Sequence, residues 1–119
     1  MHSPIGPLTV SDEDGAIVSI DSGWGRDQKR TPVLGAAIDQ LNDYFDGRRT
    51  SFLLPLNAIG TAYCQRVWAA LSDIPFGRTM TYQALALITG GSSRSIGQAN
   101  RRNPIPILIP CHRVVAARG

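Results

Sequence analysis

Cys111 and His112 stand side by side, followed by Arg113, in the stretch Asn103-Pro-Ile-Pro-Ile-Leu-Ile-Pro-Cys-His-Arg-Val-Val115. A cysteine attacks as its thiolate, and an ordinary thiol, with a pKa of about 8.5, is mostly protonated at neutral pH. His112 can take the proton as a base, and Arg113 can add positive potential that favours the anion. Pro104, Pro106 and Pro110 exclude a helix and predict an extended, stiff chain that presents Cys111 in one geometry. Neighbouring side chains of an extended chain point to opposite sides. The expected link between thiol and imidazole therefore needs a turn or a bridging water, and the water relay is favoured. The same residues also fit an inert cysteine packed in a core, the usual fate of a free cysteine. A cysteine hydrolase is a further reading, but no oxyanion site or third residue to orient the histidine can be identified.

Other elements must hold that segment in place. Thr61 caps a helix over about 62–73 with Tyr63, Val67, Trp68 and Leu71 on one face, closed by Ile74-Pro-Phe-Gly77. Thr81 caps a second helix through Leu85 and Ile88 that ends at Gly90-Gly91, and Ser92 or Ser93 caps a third that stops before Asn103-Pro104. Two short helices joined by a glycine turn, the second carrying arginines, predict a helix-turn-helix. Ser92, Ser93, Ser95, Gly97 and Ala99 are small, whereas Arg94, Gln98, Arg101 and Arg102 are long. Small residues let a helix backbone press into a narrow groove, so the composition favours minor-groove docking with Arg94 as the intruding side chain. A solvated surface helix is the alternative.

Towards the N-terminus, Leu8–Val10 and Ala16–Ile20 alternate as a β-hairpin. Thr31-Pro32 opens a helix whose apolar positions are Val33, Ala37, Ile38, Leu41, Tyr44 and Phe45, and Gly47 stops it. Phe52–Leu56, interrupted by Pro55, suits an edge or a linker. The expected fold is α/β. A small hairpin-plus-helix unit over 1–59 precedes a mainly helical, winged-helix-like DNA-binding domain over 60–119.

Charge separates the same two parts. Through residue 59, eight acids face five bases, and from residue 60 on seven arginines face only Asp73, giving −3 and +6. Basic charge gathered in one half suits a polyanion, although a solvated basic face would look the same. A hydrophobic fraction of 43% and a charged fraction of 18% point away from disorder, and no apolar run is long enough to predict a membrane span. The N-terminus has no secretion signal, so a cytoplasmic protein is expected, associated with the nucleoid in a bacterium. Two cysteines and two histidines without metal-ligand spacing predict neither a disulfide scaffold nor a zinc site, and no cofactor is expected.

Ile109-Pro-Cys-His-Arg-Val114 resembles the active-site signature of the O6-alkylguanine-DNA alkyltransferases. Gly60-Thr61, Val67-Trp68, Leu71, Ile74–Gly77, Thr79, Thr81-Tyr82, Arg94, Gly97 and Asn103-Pro104 are similar to that family's DNA-binding domain in order and spacing. Ser3–Leu8 and Tyr44–Gly47 resemble its N-terminal domain. The resemblance implies repair of O6-alkylguanine, and of O4-alkylthymine as a further substrate, in double-stranded DNA by irreversible alkyl transfer to Cys111. It implies catalytic roles for Cys111, His112, Asn103 and Tyr82, with guanine read by the backbone carbonyls of Cys111 and Val114. DNA contacts are expected from Tyr82, Ser92, Ser93, Arg94, Ser95, Gln98, Arg101, Arg102 and Arg113. Arg94 would fill the gap left by a flipped base, and Tyr82 would press on the adjoining phosphate.

Two departures bear on this expectation. Tyr63-Cys64 stands where the family usually has Phe-Gln, a change expected to affect packing. Family members also continue past the position of Gly119 through a glycine-rich loop and a final helix whose Glu orients the histidine. A binding module that recognises alkylated DNA without repairing it is thus the alternative function, although such relatives replace the cysteine.

Overall fold

Asp14 and Gly15 both take the left-handed backbone, with φ of 52° and 80°, the conformation that closes a two-residue hairpin without splaying its strands. β1 (Leu8–Glu13) and β2 (Ala16–Ser22) pair antiparallel across that turn, with Val10 opposite Ile20. The loop is shorter than expected, because Ser11–Glu13 belongs to the strand. A register shift at Ser11/Asp12 leaves Val18 without an opposite residue and keeps Leu8, Val10, Ile17 and Ile20 buried. The computed structural model describes residues 1–25 and 31–116. It comprises two compact units, Met1–Ala58 and Ile59–Gly119.

In the first unit α1 (Pro32–Phe45) begins with proline at its first turn, where a missing N–H costs nothing. Thr31 Oγ1 accepts the Leu34 N–H at 3.2 Å and donates to Asp12 Oδ2 at 2.7 Å, which ties the helix start to β1. Leu34, Ala37 and Leu41 are the buried positions. The expected apolar face is therefore turned by about one residue, so that Val33 and Ile38 flank it. Leu56 forms a parallel bridge with Ile17, and the Ile17 N–H donates to the Pro55 carbonyl at 2.9 Å. The proline-bearing stretch thus lies along the edge of β2, where a missing donor is tolerated.

In the second unit α2 (Ala62–Ser72), α3 (Tyr82–Thr89) and α4 (Ser93–Arg101) pack against one another. Thr61, Thr81 and Ser92 each accept a backbone N–H at a helix start, which satisfies one donor left over by helix geometry. The core is built from Val67, Trp68, Leu71, Leu85, Ile96, Ala99, Ile105 and Val114. Each large apolar side chain so buried contributes about 1.5–3 kcal/mol relative to exposure. Trp68 adds direction, since its Nε1–H donates to the Ala99 carbonyl at 2.9 Å and fixes α4 on α2. β3 (Met80–Thr81) and β4 (Val114–Val115) form a two-residue parallel pair that joins the entrance of α3 to the cysteine segment.

The cysteine segment is not extended. Cys111–Arg113 is a single 3-10 turn, closed by the Arg113 N–H on the Pro110 carbonyl at 3.1 Å. The prolines exclude an α-helix, as expected, but Pro110 sits just ahead of the turn, where its fixed φ starts a short one. Among the described residues, no helix is long and apolar enough to cross a membrane.

Candidate active site

The loop before Cys111 folds around one side chain. Asn103 Nδ2 donates to the Ile109 carbonyl at 2.9 Å, while Asn103 Oδ1 accepts the Ile105 N–H at 2.9 Å. The Ile109 N–H donates to the Ile105 carbonyl at 2.9 Å, and the Cys111 N–H donates to the Ile109 carbonyl at 2.8 Å. Buried Ile105, Leu108, Ile109 and Pro110 anchor the loop in the core. Within this bracing Ile107 adopts φ 75°, a left-handed conformation that costs a β-branched residue about 1–3 kcal/mol. Such strain persists only where neighbouring contacts fix the chain, and the two Asn103 bonds are those contacts.

Cys111 is half-buried, whereas Cys64 is buried within α2. From α4, Asn100 Nδ2 donates to the Cys111 carbonyl at 3.3 Å, so the helix-turn-helix holds the cysteine backbone directly. Asn100 Oδ1 is buried and has no partner among the described residues. His112 follows on the 3-10 turn, where successive side chains lie about a third of a turn apart rather than on opposite faces. The residue is exposed overall, yet cover over part of its ring lowers its pKa from the usual 6.5, and the Arg113 charge lowers it further. A neutral imidazole at neutral pH is the form that accepts a proton.

Arg113 turns inward. Its NH1 donates to the Ile74 carbonyl at 2.7 Å, and its guanidinium lies 5.7 Å from the centre of the Phe76 ring. Val114 has a buried side chain, and its backbone is paired with Met80.

On α4, Ile96 and Ala99 are buried, while Ser93, Arg94, Gln98 and Arg101 are exposed, as is Arg102 at its end. Positions 94, 98 and 101 follow helical spacing and share one face. Gly97 lies on the side facing Tyr82, where an added Cβ would meet Tyr82 Cε1 at 3.9 Å. Tyr82 is the first residue of α3, so its half-buried ring reaches the middle of α4 from the other helix of the pair. Ser92 and Ser95 are occupied internally, each accepting the other's backbone N–H in a capping box.

Three residues of this arrangement were missed from the sequence: Asn100, Trp68 as a hydrogen-bond donor, and Tyr63. The Tyr63 hydroxyl donates to the Gly90 carbonyl at 3.0 Å and pairs with Ser95 Oγ at 2.8 Å. The signal available was the departure from Phe at that position. A cavity of about 350 Å³ between Ile74, Met80 and Ile88 contains no residue of the cysteine segment and takes no part in this site. Among the described residues, no group of three or more His, Cys, Asp or Glu is placed to hold a metal ion.

A hairpin-plus-helix unit, a helix-turn-helix with an arginine-bearing second helix, and a half-buried cysteine strapped to that helix define a two-part α/β protein with a DNA-binding fold. Residues 62–119 match the family described as 6-O-methylguanine DNA methyltransferase, DNA binding domain, and residues 1–58 match its ribonuclease-like domain. The constitutive methylated-DNA–protein-cysteine methyltransferase of Bacillus subtilis is 38% identical over 127 residues, covering 96% of this chain and 77% of that protein. The methylated-DNA–protein-cysteine methyltransferase of Mycobacterium tuberculosis is 42% identical over 128 residues, covering 100% of this chain and 78% of that one. The crystal structure of the Mycobacterium tuberculosis protein in complex with DNA superposes with a TM-score of 0.88 at 39% identity, covering 100% of this chain and 78% of that one. The chain belongs to the 6-O-methylguanine DNA methyltransferase family.

Proposed function

We propose that the protein repairs DNA by moving the alkyl group of O6-alkylguanine onto Cys111. The observation that carries this reading is the Asn100–Cys111 bond, which fastens the thiol-bearing turn to the helix that presents Arg94. DNA is the partner. Small residues on α4 fit a minor groove, Arg94 occupies the stack vacated by the flipped guanine, and Gln98, Arg101 and Arg102 line the approach. Work divides near residue 59, with 60–119 engaging DNA and doing the chemistry. A reducing cytoplasm keeps Cys111 as a thiol.

The step balances with no cofactor. Neutral His112 takes the thiol proton through a water, and the sulfur electron pair attacks the alkyl carbon. The carbon–O6 bond breaks as the carbon–sulfur bond forms, and guanine leaves with its electron pair and takes up a proton. A thioether has no ready leaving group under these conditions, so each molecule acts once. Asn103 acts by bracing the loop around Ile105 and Ile109. Tyr82, beside Gly97, borders the space through which the base passes.

The test is incubation with a duplex containing O6-methylguanine, followed by intact-mass and peptide measurement. One added methyl on the peptide that contains Cys111, absent in Cys111→Ala, is expected. Stoichiometric duplex binding without any adduct would instead support the binding-module alternative.

A further inference from the structure

We infer that Tyr63 is a positioning residue for DNA engagement, because its hydroxyl fixes the turn from which α4 and Arg94 start. The inference rests on the alkyl-transfer reading above and adds to it a residue outside the helix-turn-helix. Tyr63 lies on α2, and its hydroxyl reaches both sides of the turn, the Gly90 carbonyl at 3.0 Å and Ser95 Oγ at 2.8 Å. A phenol has one proton. With the Gly90 carbonyl taking it, the Ser95 hydroxyl is the donor to Tyr63, its own single proton shared with the Ser92 carbonyl at 3.0 Å.

Ser95 is also the hinge of the capping box, since its Oγ accepts the Ser92 N–H at 2.9 Å. Gly90 and Gly91 adopt φ of 87° and 85°, and a Cβ on Gly91 would overlap Tyr63 Oη and Ser95 Oγ. The turn is therefore wrapped against the hydroxyl, and both its conformation and its contacts require glycine. The Arg66 guanidinium lies over the ring, 5.3 Å from its centre. Arg94 sits between Ser93 and Ser95 in the first turn of α4, so a shift of this cap moves Arg94 directly. Phenylalanine at position 63 keeps the ring but leaves the Gly90 carbonyl and Ser95 without this partner. Because positioning errors near one ångström lower rates steeply, the effect is expected on duplex engagement.

The test compares wild type, Tyr63→Phe, Ser95→Ala and the double variant. Three quantities are read: duplex affinity by fluorescence anisotropy, methyl transfer from a duplex, and benzyl transfer from free O6-benzylguanine. Tyr63→Phe should weaken duplex binding and slow duplex transfer by about 5- to 10-fold, the equivalent of one lost hydrogen bond or slightly more. Free-base transfer should stay within about twofold, a split that general destabilisation would not produce. The double variant should be little worse than Ser95→Ala alone. Unchanged duplex affinity, or equal loss on both substrates, would overturn the inference. If wild type transfers no alkyl group to Cys111, the alkyl-transfer reading fails, and duplex affinity decides the role of Tyr63 alone.

Discussion

Arg113 NH1 donates to the Ile74 carbonyl at 2.7 Å, which ties the residue two places after Cys111 to the loop that follows α2. The carbonyl lies one residue past the C-cap Asp73, and the guanidinium supplies both charge and a directed donor. Arg113→Ala should therefore destabilise the fold by about 1–2 kcal/mol in urea unfolding. Alkyl transfer from duplex and from free base should fall together, because the 3-10 turn itself loosens. A variant of full stability that lost only salt-dependent DNA affinity would return Arg113 to the phosphate-contact role read from the sequence.

Trp68 ties α4 to α2. Its Nε1–H donates to the Ala99 carbonyl within the buried core, where the Arg102 N–H also reaches that carbonyl at 3.2 Å, so Trp68→Phe removes one of two donors. A cost of about 0.5–1.5 kcal/mol is expected. Thermal unfolding followed by circular dichroism checks it, and an unchanged midpoint would mean that α4 is held by apolar packing alone.

His112 should titrate below 6.5, because partial burial and then the Arg113 charge both disfavour its protonated form. The sign for stability follows from proton uptake. Between the two pKa values the unfolded chain binds the proton and the folded chain does not, so stability falls as pH drops through 6.5 and levels off below the folded pKa. Proton NMR of the two histidine rings, with His2→Gln to assign them, reads the midpoint directly. A midpoint at or above 6.5 would remove the argument that His112 is a neutral base.

Helix boundaries were legible because each start carries its own chemistry: Thr31, Thr61, Thr81 and Ser92 all cap as their types require. The pairing of Met80 with Val114 was not legible, since two-residue strands leave no period to detect. The cysteine turn was misread as extended because proline fixes φ but leaves ψ open, and the Asn103 clamp that bends the chain is a tertiary choice. Asn100 and Tyr63 escaped for a related reason. A side chain that serves the backbone of another segment shows no pattern in its own.

Arg94 distinguishes base extrusion from simple phosphate attraction. It is exposed in the first turn of α4, two residues before buried Ile96 and on the same face as Gln98 and Arg101. Extruding a guanine costs a few kcal/mol in stacking and pairing, and a guanidinium that occupies the gap recovers part of that cost only in duplex DNA. Arg94→Ala should therefore slow methyl transfer from a duplex by about tenfold or more. Transfer from free O6-benzylguanine should hardly change, because nothing has to be flipped. Arg101→Ala is the control for a phosphate contact, which should weaken duplex binding modestly and reduce its salt slope by about one. The pair separates the two mechanisms, since a phosphate role for Arg94 would reproduce the Arg101 result. Equal impairment of the duplex and free-base reactions by Arg94→Ala would show that Arg94 supports the site structurally, and the base-flipping assignment would fall.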